Sequence, residues 1–385
     1  MLLLVSQYLG KTRAISEASR ELSLIKKPFT GSAGLAEALR ARSRRIVCLG
    51  EDDITGDTIV ALSTAGEDDP FGLIVCADRE ALRSCNKADL IDQLNGFGNV
   101  EWVGDAEDLN AFRQAIRICW QRMLRIGQGE LRQAIEKREF VIQYQPKVER
   151  VDGDDWETRE AESLLRWRHP EHGLLGPLEF LPELEAFGLM GAITEMVLEE
   201  AAMQLSRWQK SGLDFNSCIN LAPSLLRDRE LPARYEEIVR AHGHEPSRFT
   251  FEVTENDVGN ADAPHLKVLQ RFRDKGFRVS LDDFGVAASS LQAFEQLPFD
   301  EIKIHRSALQ RAKASPVAQQ VLAAVTGLAH SLKISVCAEG VEDQETYEFL
   351  KTIQCDKMQG FLISEAVMPD IIRKHYSAGD EVEAA

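Results

Sequence analysis

The N-terminal part of the chain alternates between short apolar runs and amphipathic segments. The apolar runs predict strands at Leu2–Val5, Arg45–Leu49, Leu73–Val75 and Val100–Val103. Helix-like segments lie between them, at Thr12–Leu24, Gly56–Leu62 and Arg79–Leu94. Alternation of this kind predicts a layered α/β domain, which we assign to residues 1–128.

From Phe140 onward the alternation is more regular. Eight candidate strands lie at Phe140–Gln145, Glu162–Trp167, Ser217–Leu221, Phe249–Val253, Phe277–Leu281, Asp300–Ile304, Ile334–Ala338 and Lys357–Ile363. Two apolar helix stripes between them run through Ile193, Val197, Ala201, Leu205 and Trp208, and through Val317, Val321, Val325, Leu328 and Leu332. The pattern predicts a TIM-like (β/α)8 barrel over residues 129–385, with its active site at the C-terminal ends of the strands.

The segment from Asp105 to Glu136 joins the two predicted domains. Its apolar residues recur at helical spacing, which Gly127 and Gly129 interrupt. We predict a helix that packs against its own N-terminal domain, and the alternative is a dimerisation helix.

Composition fits a folded chain with two cores, since 44% of the 385 residues are hydrophobic and 28% are charged. The net charge of -17 is uneven: residues 1–128 carry 16 Lys and Arg against 18 Asp and Glu, and the remainder carries 29 against 44. An acidic surface argues against DNA binding, which needs clustered Lys and Arg. If the second domain binds a phosphate ester, divalent cations must therefore mediate the contact.

The seven cysteines are scattered without a Cys-x-x-Cys pair, which predicts reduced, buried thiols. No apolar run approaches the roughly 20 residues of a membrane-spanning helix, and the N-terminus lacks the features of a secretory signal. We therefore expect a cytoplasmic protein without a membrane span.

Carboxylate and amide side chains recur near the ends of the predicted barrel strands, at Glu162, Asn220, Glu252, Asp282, Asp283, Glu339 and Gln359. Several stand between apolar neighbours, where a lone buried carboxylate is costly. Oxygen ligands without cysteine select hard cations such as Mg²⁺ or Mn²⁺. The adjacent Asp282 and Asp283 could share two ions for phosphodiester cleavage. Taken singly, each side chain has another explanation: an ion pair, a helix cap or a turn.

An ordered series of motifs, from about Glu130 to Pro369, resembles the EAL-domain cyclic di-GMP phosphodiesterases. The motifs are Tyr144-Gln145-Pro146-Lys147, Glu162-Ser163-Leu164-Leu165-Arg166-Trp167, Asn220-Leu221-Ala222-Pro223, Glu252-Val253-Thr254-Glu255, Asp282-Asp283-Phe284-Gly285, Ala338-Glu339-Gly340-Val341-Glu342 and Gln359-Gly360-Phe361. The signature triplet has serine in place of the usual alanine, and it keeps the glutamate.

The resemblance implies a role for each candidate side chain. One metal ion would be held by Glu162, Asn220, Glu252 and Asp282, and a second by Asp282, Asp283 and waters. Glu339 would be the general base or hold a metal-bound water, and Lys303 would hold the attacking water or the developing charge. The dinucleotide would be bound by Gln145, Leu164, Arg166 and Gln359. A structural salt bridge is the alternative for Arg166.

Two departures from the family pattern lie beside this site. Residues 286–290 are Val-Ala-Ala-Ser-Ser where relatives usually have Thr-Gly-Tyr-Ser-Ser, although Glu255, which clasps this loop in the family, is present. His305 replaces an aspartate. Strand alternation predicts that His305 points with Lys303 toward the barrel mouth, and the alternative is a place at the start of the next helix.

The order of elements in residues 1–128 resembles a response-regulator receiver domain. The acidic pair, the aspartate and the lysine that receivers need are absent, since the corresponding places are Val5-Ser6-Gln7, Leu49-Gly50-Glu51 and Val103-Gly104-Asp105. Nearby Glu51, Asp52 and Asp53 predict a solvated turn. We therefore expect a pseudo-receiver that is not phosphorylated, regulates the barrel and offers a surface to a protein partner.

Together these features predict a homodimeric, Mg²⁺- or Mn²⁺-dependent hydrolase that converts cyclic di-GMP to linear pGpG. Two alternatives stay open: a catalytically weak or inactive receptor that binds the nucleotide and signals through partners, and a scaffold that does not bind nucleotide.

Overall fold

The computed structural model describes residues 2–6, 9, 12, 14–16, 18, 25–39, 45–66, 71–78, 87–97, 99–105, 107–124, 126–151, 155–254, 263–285 and 299–376. The chain divides into two compact units, Met1–Gln128 with Leu178–Pro182, and Gly129–Pro177 with Glu183–Ala385. Their independence as folding domains stays a prediction. Within these described ranges, no helix combines the length and apolar character needed to cross a bilayer.

The first unit contains a parallel sheet of β1 (Leu2–Ser6), β2 (Ile25–Phe29), β3 (Arg45–Gly50), β4 (Gly72–Cys76) and β5 (Val100–Val103). The strand order is β2-β1-β3-β4-β5, which is the order of the flavodoxin-like doubly wound fold. Strands β3 and β4 are buried along their whole length. A receiver-like domain requires this order, but unrelated doubly wound proteins share it, so the receiver resemblance stays a prediction.

Strand β2 is absent from our sequence-based prediction. Its sequence, Ile-Lys-Lys-Pro-Phe, has two lysines and a proline and therefore lacks the apolar run that identified the other strands. It pairs with β1 at the edge of the sheet. Charged residues and proline are tolerated there because one side of an edge strand needs no hydrogen-bonding neighbour.

Residues Glu51–Asp53 form a 3-10 turn directly after β3. Glu51 and Asp52 are exposed, as predicted. Asp53 is buried instead, and its carboxylate accepts a hydrogen bond from the Gly50 backbone nitrogen at 2.8 Å. The prediction of a fully solvated turn is therefore wrong for Asp53, because a local backbone donor compensates for the lost water.

Among the described residues of the first unit are the helices α1 (Gly31–Leu39), α2 (Gly56–Gly66), α3 (Ala88–Asn95) and α4 (Leu109–Leu124). Helix α4 buries Phe112, Ile116 and Cys119. The Cys119 thiol lies 3.6 Å from the Leu73 carbonyl oxygen in β4. These contacts confirm that this part of the connecting segment packs against its own sheet.

The cysteines of the described ranges are free and buried, as predicted. Burial raises the pKa of the Cys48, Cys218 and Cys337 thiols well above their usual range. These side chains therefore act as small apolar groups and not as nucleophiles.

The second unit is a closed barrel. Its strands, including one short addition, are β6 (Phe140–Arg150), β7 (Trp156–His169), β8 (Gly173–Leu175), β9 (Asn216–Asn220), β10 (Phe249–Thr254), β11 (Arg278–Phe284), β12 (Glu301–Ile304), β13 (Ser335–Glu339) and β14 (Lys357–Gln359). Neighbours follow chain order from β6 to β14, with β8 outside the ring, and β14 closes the barrel on β6. The predicted eight-stranded TIM-like barrel is confirmed.

The barrel departs from a regular β/α repeat at its first strand. Strand β6 runs antiparallel to both of its neighbours, β7 and β14. Residues 151–155 connect β6 to β7, and so short a connection can join antiparallel strands but not parallel ones. The other neighbouring pairs in the ring are parallel, so their C-terminal ends meet at one rim.

Helices preceding and surrounding the barrel are α5 (Gln128–Glu136), α6 (Leu181–Ala186), α7 (Met190–Lys210), α8 (Leu231–Ala241), α9 (Ala263–Asp274), α10 (Arg306–Ala314), α11 (Pro316–Ser331), α12 (Gln344–Thr352) and α13 (Pro369–Tyr376). The apolar stripe predicted on α7 is buried, from Ile193 to Trp208. That helix therefore packs on the barrel as its periodicity indicates.

The stripe predicted on α11 forms the buried face only in part, since Val325 packs against the barrel core but other members are exposed. Val317 and Val321 are 69% and 55% exposed, and Leu332, just beyond the helix, is 46% exposed. The buried residues are Leu322, Thr326 and Ala329. Helix α11 is apolar on more than one side, so its periodicity alone could not identify the face that contacts the barrel.

Candidate active site

Polar side chains fill the barrel interior in two layers. Residues two apart on a strand point to the same side, so each strand can contribute to both layers. The upper layer, near the C-terminal rim, consists of Gln145, Glu162, Asn220, Glu252, Asp282, Lys303, Glu339 and Gln359. The structure thus brings together side chains that the sequence analysis selected from separate strands.

Lys303 lies at the centre of the upper layer. Its ammonium nitrogen is 2.6 Å from Glu339 Oε1 and 2.8 Å from Glu252 Oε2. It is also 3.2 Å from Asp282 Oδ2 and 3.6 Å from Glu162 Oε2. The side chain is fully buried, and these carboxylates overcome the effect of burial and raise its pKa. Lys303 is therefore a fixed positive charge at the place where the acidic side chains converge.

Burial gives two of these carboxyl groups an unusual affinity for protons. It raises the pKa of Glu252 to about 7, although Lys147 and Lys303 oppose the shift. It raises the pKa of Glu339 to about 8, although Lys303 opposes the shift and the side chain remains 20% exposed. A carboxyl group in this range can accept and release a proton near neutral pH, as a general base must.

The adjacent Asp282 and Asp283 reach the site through a β-bulge. The pairing of β11 with β12 shifts between Leu281 and Phe284 by one extra residue. Asp283 has a left-handed φ of 60°, and its backbone nitrogen donates to Asp282 Oδ1 at 2.8 Å. On a regular strand two neighbours would point to opposite faces, whereas the bulge redirects Asp283 toward the site.

The bulge completes a candidate cation site. Asp282, Asp283 and Glu339 each offer a carboxylate oxygen, and these oxygens lie within 4.8 Å of one another. A hard cation prefers such oxygen ligands. The three carboxylates therefore fit a divalent ion.

Amide side chains hold Glu162. Its Oε1 accepts from Asn220 Nδ2 at 2.9 Å, and its Oε2 accepts from Gln359 Nε2 at 2.8 Å. Burial acts to raise its pKa, but Lys303, Lys147 and the two amides together lower it to about 2. Gln359 Nε2 also donates to Gln145 Oε1 at 2.9 Å.

Gln359 also leaves an acceptor for a ligand. Its Oε1 is buried without a hydrogen-bond partner in the described part of the chain, and such atoms are rare. A bound cation, water or substrate group would satisfy this oxygen.

Leu164 and Arg166 lie beyond Glu162 on β7 and share its side of the strand. This end of β7 pairs with the beginning of β6, where Arg166 lies opposite Val141. Arg166 donates to the neighbouring Leu165 carbonyl at 2.8 Å. The role of both residues in binding a dinucleotide stays a prediction.

His305 lies at the start of α10, one residue beyond β12. His305 therefore does not continue the strand, and it occupies the position at the start of the next helix that the alternative gave it. Its Nδ1 accepts from the Ser307 backbone nitrogen at 3.2 Å. Its Nε2 nevertheless lies 3.9 Å from Asp283 Oδ1, so the imidazole borders the candidate cation site. Glu255 and residues 286–290 lie outside the described residues.

The lower layer consists of Lys147, Glu160, Glu301 and Lys357, all buried. Lys147 pairs with Glu160 at 3.5 Å, and Lys357 pairs with Glu160 at 3.1 Å and with Glu301 at 2.8 Å. These residues have no role in our sequence-based prediction. The available signal was spacing: Glu160 and Lys147 stand two positions from Glu162 and Gln145, on the same sides of β7 and β6.

Comparisons with known proteins agree with this architecture. The family model described as "EAL domain" matches residues 128–366. The bifunctional diguanylate cyclase/cyclic di-GMP phosphodiesterase MucR of Pseudomonas aeruginosa is 37% identical over 61% of this chain and 34% of its own length. The cyclic di-GMP phosphodiesterase PdeR of Escherichia coli is 32% identical over 61% of this chain and 35% of its own length. The chain thus spans about a third of these relatives.

A solved structure described as "PaMucR Phosphodiesterase, c-di-GMP complex" is also similar. It matches with a TM-score of 0.58 and 35% identity, and the match covers 63% of this chain and 98% of that one. Residues 128–366, which the family model matches, contain the closed barrel and the acidic upper layer. The chain therefore belongs to the EAL domain family.

Proposed function

We propose that the barrel hydrolyses cyclic di-GMP to linear pGpG with two divalent cations, Mg²⁺ or Mn²⁺. The observation that carries this proposal is the net charge of the upper layer and of the neighbouring Asp283. The carboxylates of Glu162, Glu252, Asp282 and Glu339 lie within 3.6 Å of the Lys303 ammonium, and the carboxylate of Asp283 lies beside those of Asp282 and Glu339. When all are ionised, four negative charges are uncompensated, which is the charge that two divalent cations supply.

The residues present fit such ions. Glu162, Asn220, Glu252 and Asp282 would hold one cation, and Asp282 and Asp283 would hold the second. The buried Gln359 Oε1 and the carboxylates with raised pKa are groups that a bound cation would satisfy. Divalent cations in such sites polarise the phosphate and activate water.

The side chains of the upper layer suit the remaining steps. In hydrolysis a water oxygen bonds to phosphorus, the bond between phosphorus and the 3′ oxygen breaks, and the leaving 3′ oxygen takes a proton from solvent. Glu339 would accept the proton from the attacking water, because burial gives its carboxyl group a high proton affinity. Lys303, 2.6 Å from Glu339, would orient this base and donate to the negative charge that develops on the phosphate.

The second candidate function is a receptor that binds cyclic di-GMP without robust turnover. The observation that favours it is His305, whose Nε2 lies 3.9 Å from Asp283 Oδ1. An imidazole in place of a carboxylate supplies less negative charge for a second cation. Nucleotide binding could then persist while hydrolysis is weak.

One experiment separates the two functions. The purified chain is incubated with cyclic di-GMP and Mg²⁺ or Mn²⁺, the products are resolved by chromatography, and binding is measured by calorimetry with Ca²⁺. The control is Glu162→Ala, which removes the carboxylate held by Asn220 and Gln359. Formation of pGpG by the wild type but not by Glu162→Ala supports the enzyme. Binding without pGpG supports the receptor, and the absence of both contradicts the proposal.

We further propose that the N-terminal unit regulates the barrel and binds a protein partner, and that the protein is a cytoplasmic homodimer. The flavodoxin-like strand order is compatible with a receiver-like unit of this kind. A folded unit in the same chain as the barrel could change turnover by altering the oligomeric state.

A further inference from the structure

Lys147 lies directly beneath the proposed metal site, and no step proposed above uses it. Its side chain is fully buried on β6. Its ammonium nitrogen lies 2.7 Å from Glu252 Oε1 and 3.1 Å from Cys218 Sγ. Burial opposes its positive charge, but the surrounding acidic groups prevail and raise its pKa. A buried ion with such specific partners imposes a defined geometry on them.

The two oxygens of Glu252 are held by two different lysines. Oε1 bonds to Lys147, and Oε2 bonds to Lys303 at 2.8 Å. Lys303 also contacts Glu339 and Asp282, so Oε2 is the oxygen that belongs to the upper layer. A cation that enters this layer would therefore meet Oε2, while Oε1 remains fixed from below.

We propose that Lys147 is a positioning residue of the metal site: it holds Glu252 through Oε1 and so keeps Oε2 directed into the upper layer. This inference rests on the proposed function, because it assumes that divalent cations bind there. Lys147 also pairs with Glu160 in the lower layer. Its bond to Glu252 is therefore a contact between the two layers.

Two physical effects predict opposite results when Lys147 loses its charge. By Coulomb's law alone, removing a positive charge near a cation site should strengthen cation binding. If Lys147 positions Glu252, its removal frees the ligand and should weaken cation binding, by about tenfold to a hundredfold as for other groups that orient metal ligands. The direction of the change therefore decides between the two effects.

The test measures Mn²⁺ affinity of the full chain by calorimetry without nucleotide. Lys147→Met removes the charge and keeps most of the side-chain volume. The matched control is Lys357→Met, which removes a buried lysine of the same layer that pairs with Glu160 and Glu301. The double variant Lys147→Met/Glu160→Gln removes one charge of each sign from the lower layer. It therefore avoids misfolding that is caused only by an unbalanced charge in that layer. Thermal unfolding of the metal-free proteins reports stability.

Lys147→Met should bind Mn²⁺ at least tenfold more weakly, whereas Lys357→Met should stay within about threefold of the wild type. The double variant should regain thermal stability but not Mn²⁺ affinity. If either folded variant that lacks Lys147 binds Mn²⁺ as tightly as the wild type, or more tightly, the positioning role is wrong. Recovery of affinity in the double variant would also contradict it, because charge balance alone would then explain the effect. A wild-type chain that binds no Mn²⁺ would instead refute the proposed function itself.

Discussion

The left-handed backbone at Asp283 allows stability and metal binding to be changed separately. Asp283 has a φ of 60° within the bulge of β11, and its carboxylate belongs to the candidate cation site. Asp283→Gly and Asp283→Ala both remove that carboxylate. They differ in how well the new residue accepts a positive φ, which glycine adopts freely and alanine does not.

The expected difference in stability follows from this conformation. Alanine at a positive φ is less stable than glycine by about 1 kcal/mol, even after the greater freedom of glycine in the unfolded chain is counted. For a domain the size of this barrel, 1 kcal/mol corresponds to about 2–4 °C in Tm. Asp283→Ala should therefore unfold at a lower temperature than Asp283→Gly by about that amount. Their Mn²⁺ affinities should be equally weakened.

The assay combines thermal unfolding of the metal-free proteins with Mn²⁺ calorimetry. Asp283→Asn is the control, since asparagine also tolerates a left-handed backbone but is uncharged. It should keep the stability of the wild type and lose metal affinity. Equal Tm values for the alanine and glycine variants would refute the left-handed bulge. Wild-type Mn²⁺ affinity in any of the three would refute Asp283 as a ligand.

Five further outcomes are expected. Mn²⁺ affinity of the wild type should rise between about pH 6 and about pH 8, because the raised pKa values of Glu252 and Glu339 mean that a cation must displace protons at lower pH. Glu339→Gln should flatten that rise and abolish turnover while cyclic di-GMP binding survives; parallel loss of both would indicate a structural role. His305→Asp should raise turnover or lower the Mg²⁺ requirement, and unchanged curves of rate against Mg²⁺ and against Mn²⁺ would exclude His305 as the cause of weak activity. Removing residues 1–128 should leave a folded barrel with altered turnover or oligomeric state, and persistent insolubility would show that the barrel is not independent. Phe361, which is 59% exposed two residues after Gln359, should stack on a guanine base; Phe361→Ala should raise KM for cyclic di-GMP but not for bis(p-nitrophenyl) phosphate, and an equal rise for both would contradict stacking.

The sequence determined the barrel fold and the types of side chain that form its site. Apolar runs at regular intervals specify buried parallel strands, and their ends must meet at one rim once the barrel closes. Glu162, Glu252 and Lys303 therefore converge in the structure although they are far apart in the chain. The motif series gave the family for the same reason, because each motif marks a strand end that contributes to one interior.

Only the tertiary structure decided how individual side chains are directed. The bulge that redirects Asp283 depends on the register in which β11 pairs with β12. The sequence pattern of a single strand does not specify that register. His305 caps α10 because β12 ends one residue earlier than alternation suggested. The lower layer depends on contacts between strands distant in sequence, such as that of Lys357 with Glu160. Spacing along one strand indicates which residues share a face, but the closed barrel decides which partners they meet, because those partners come from other strands.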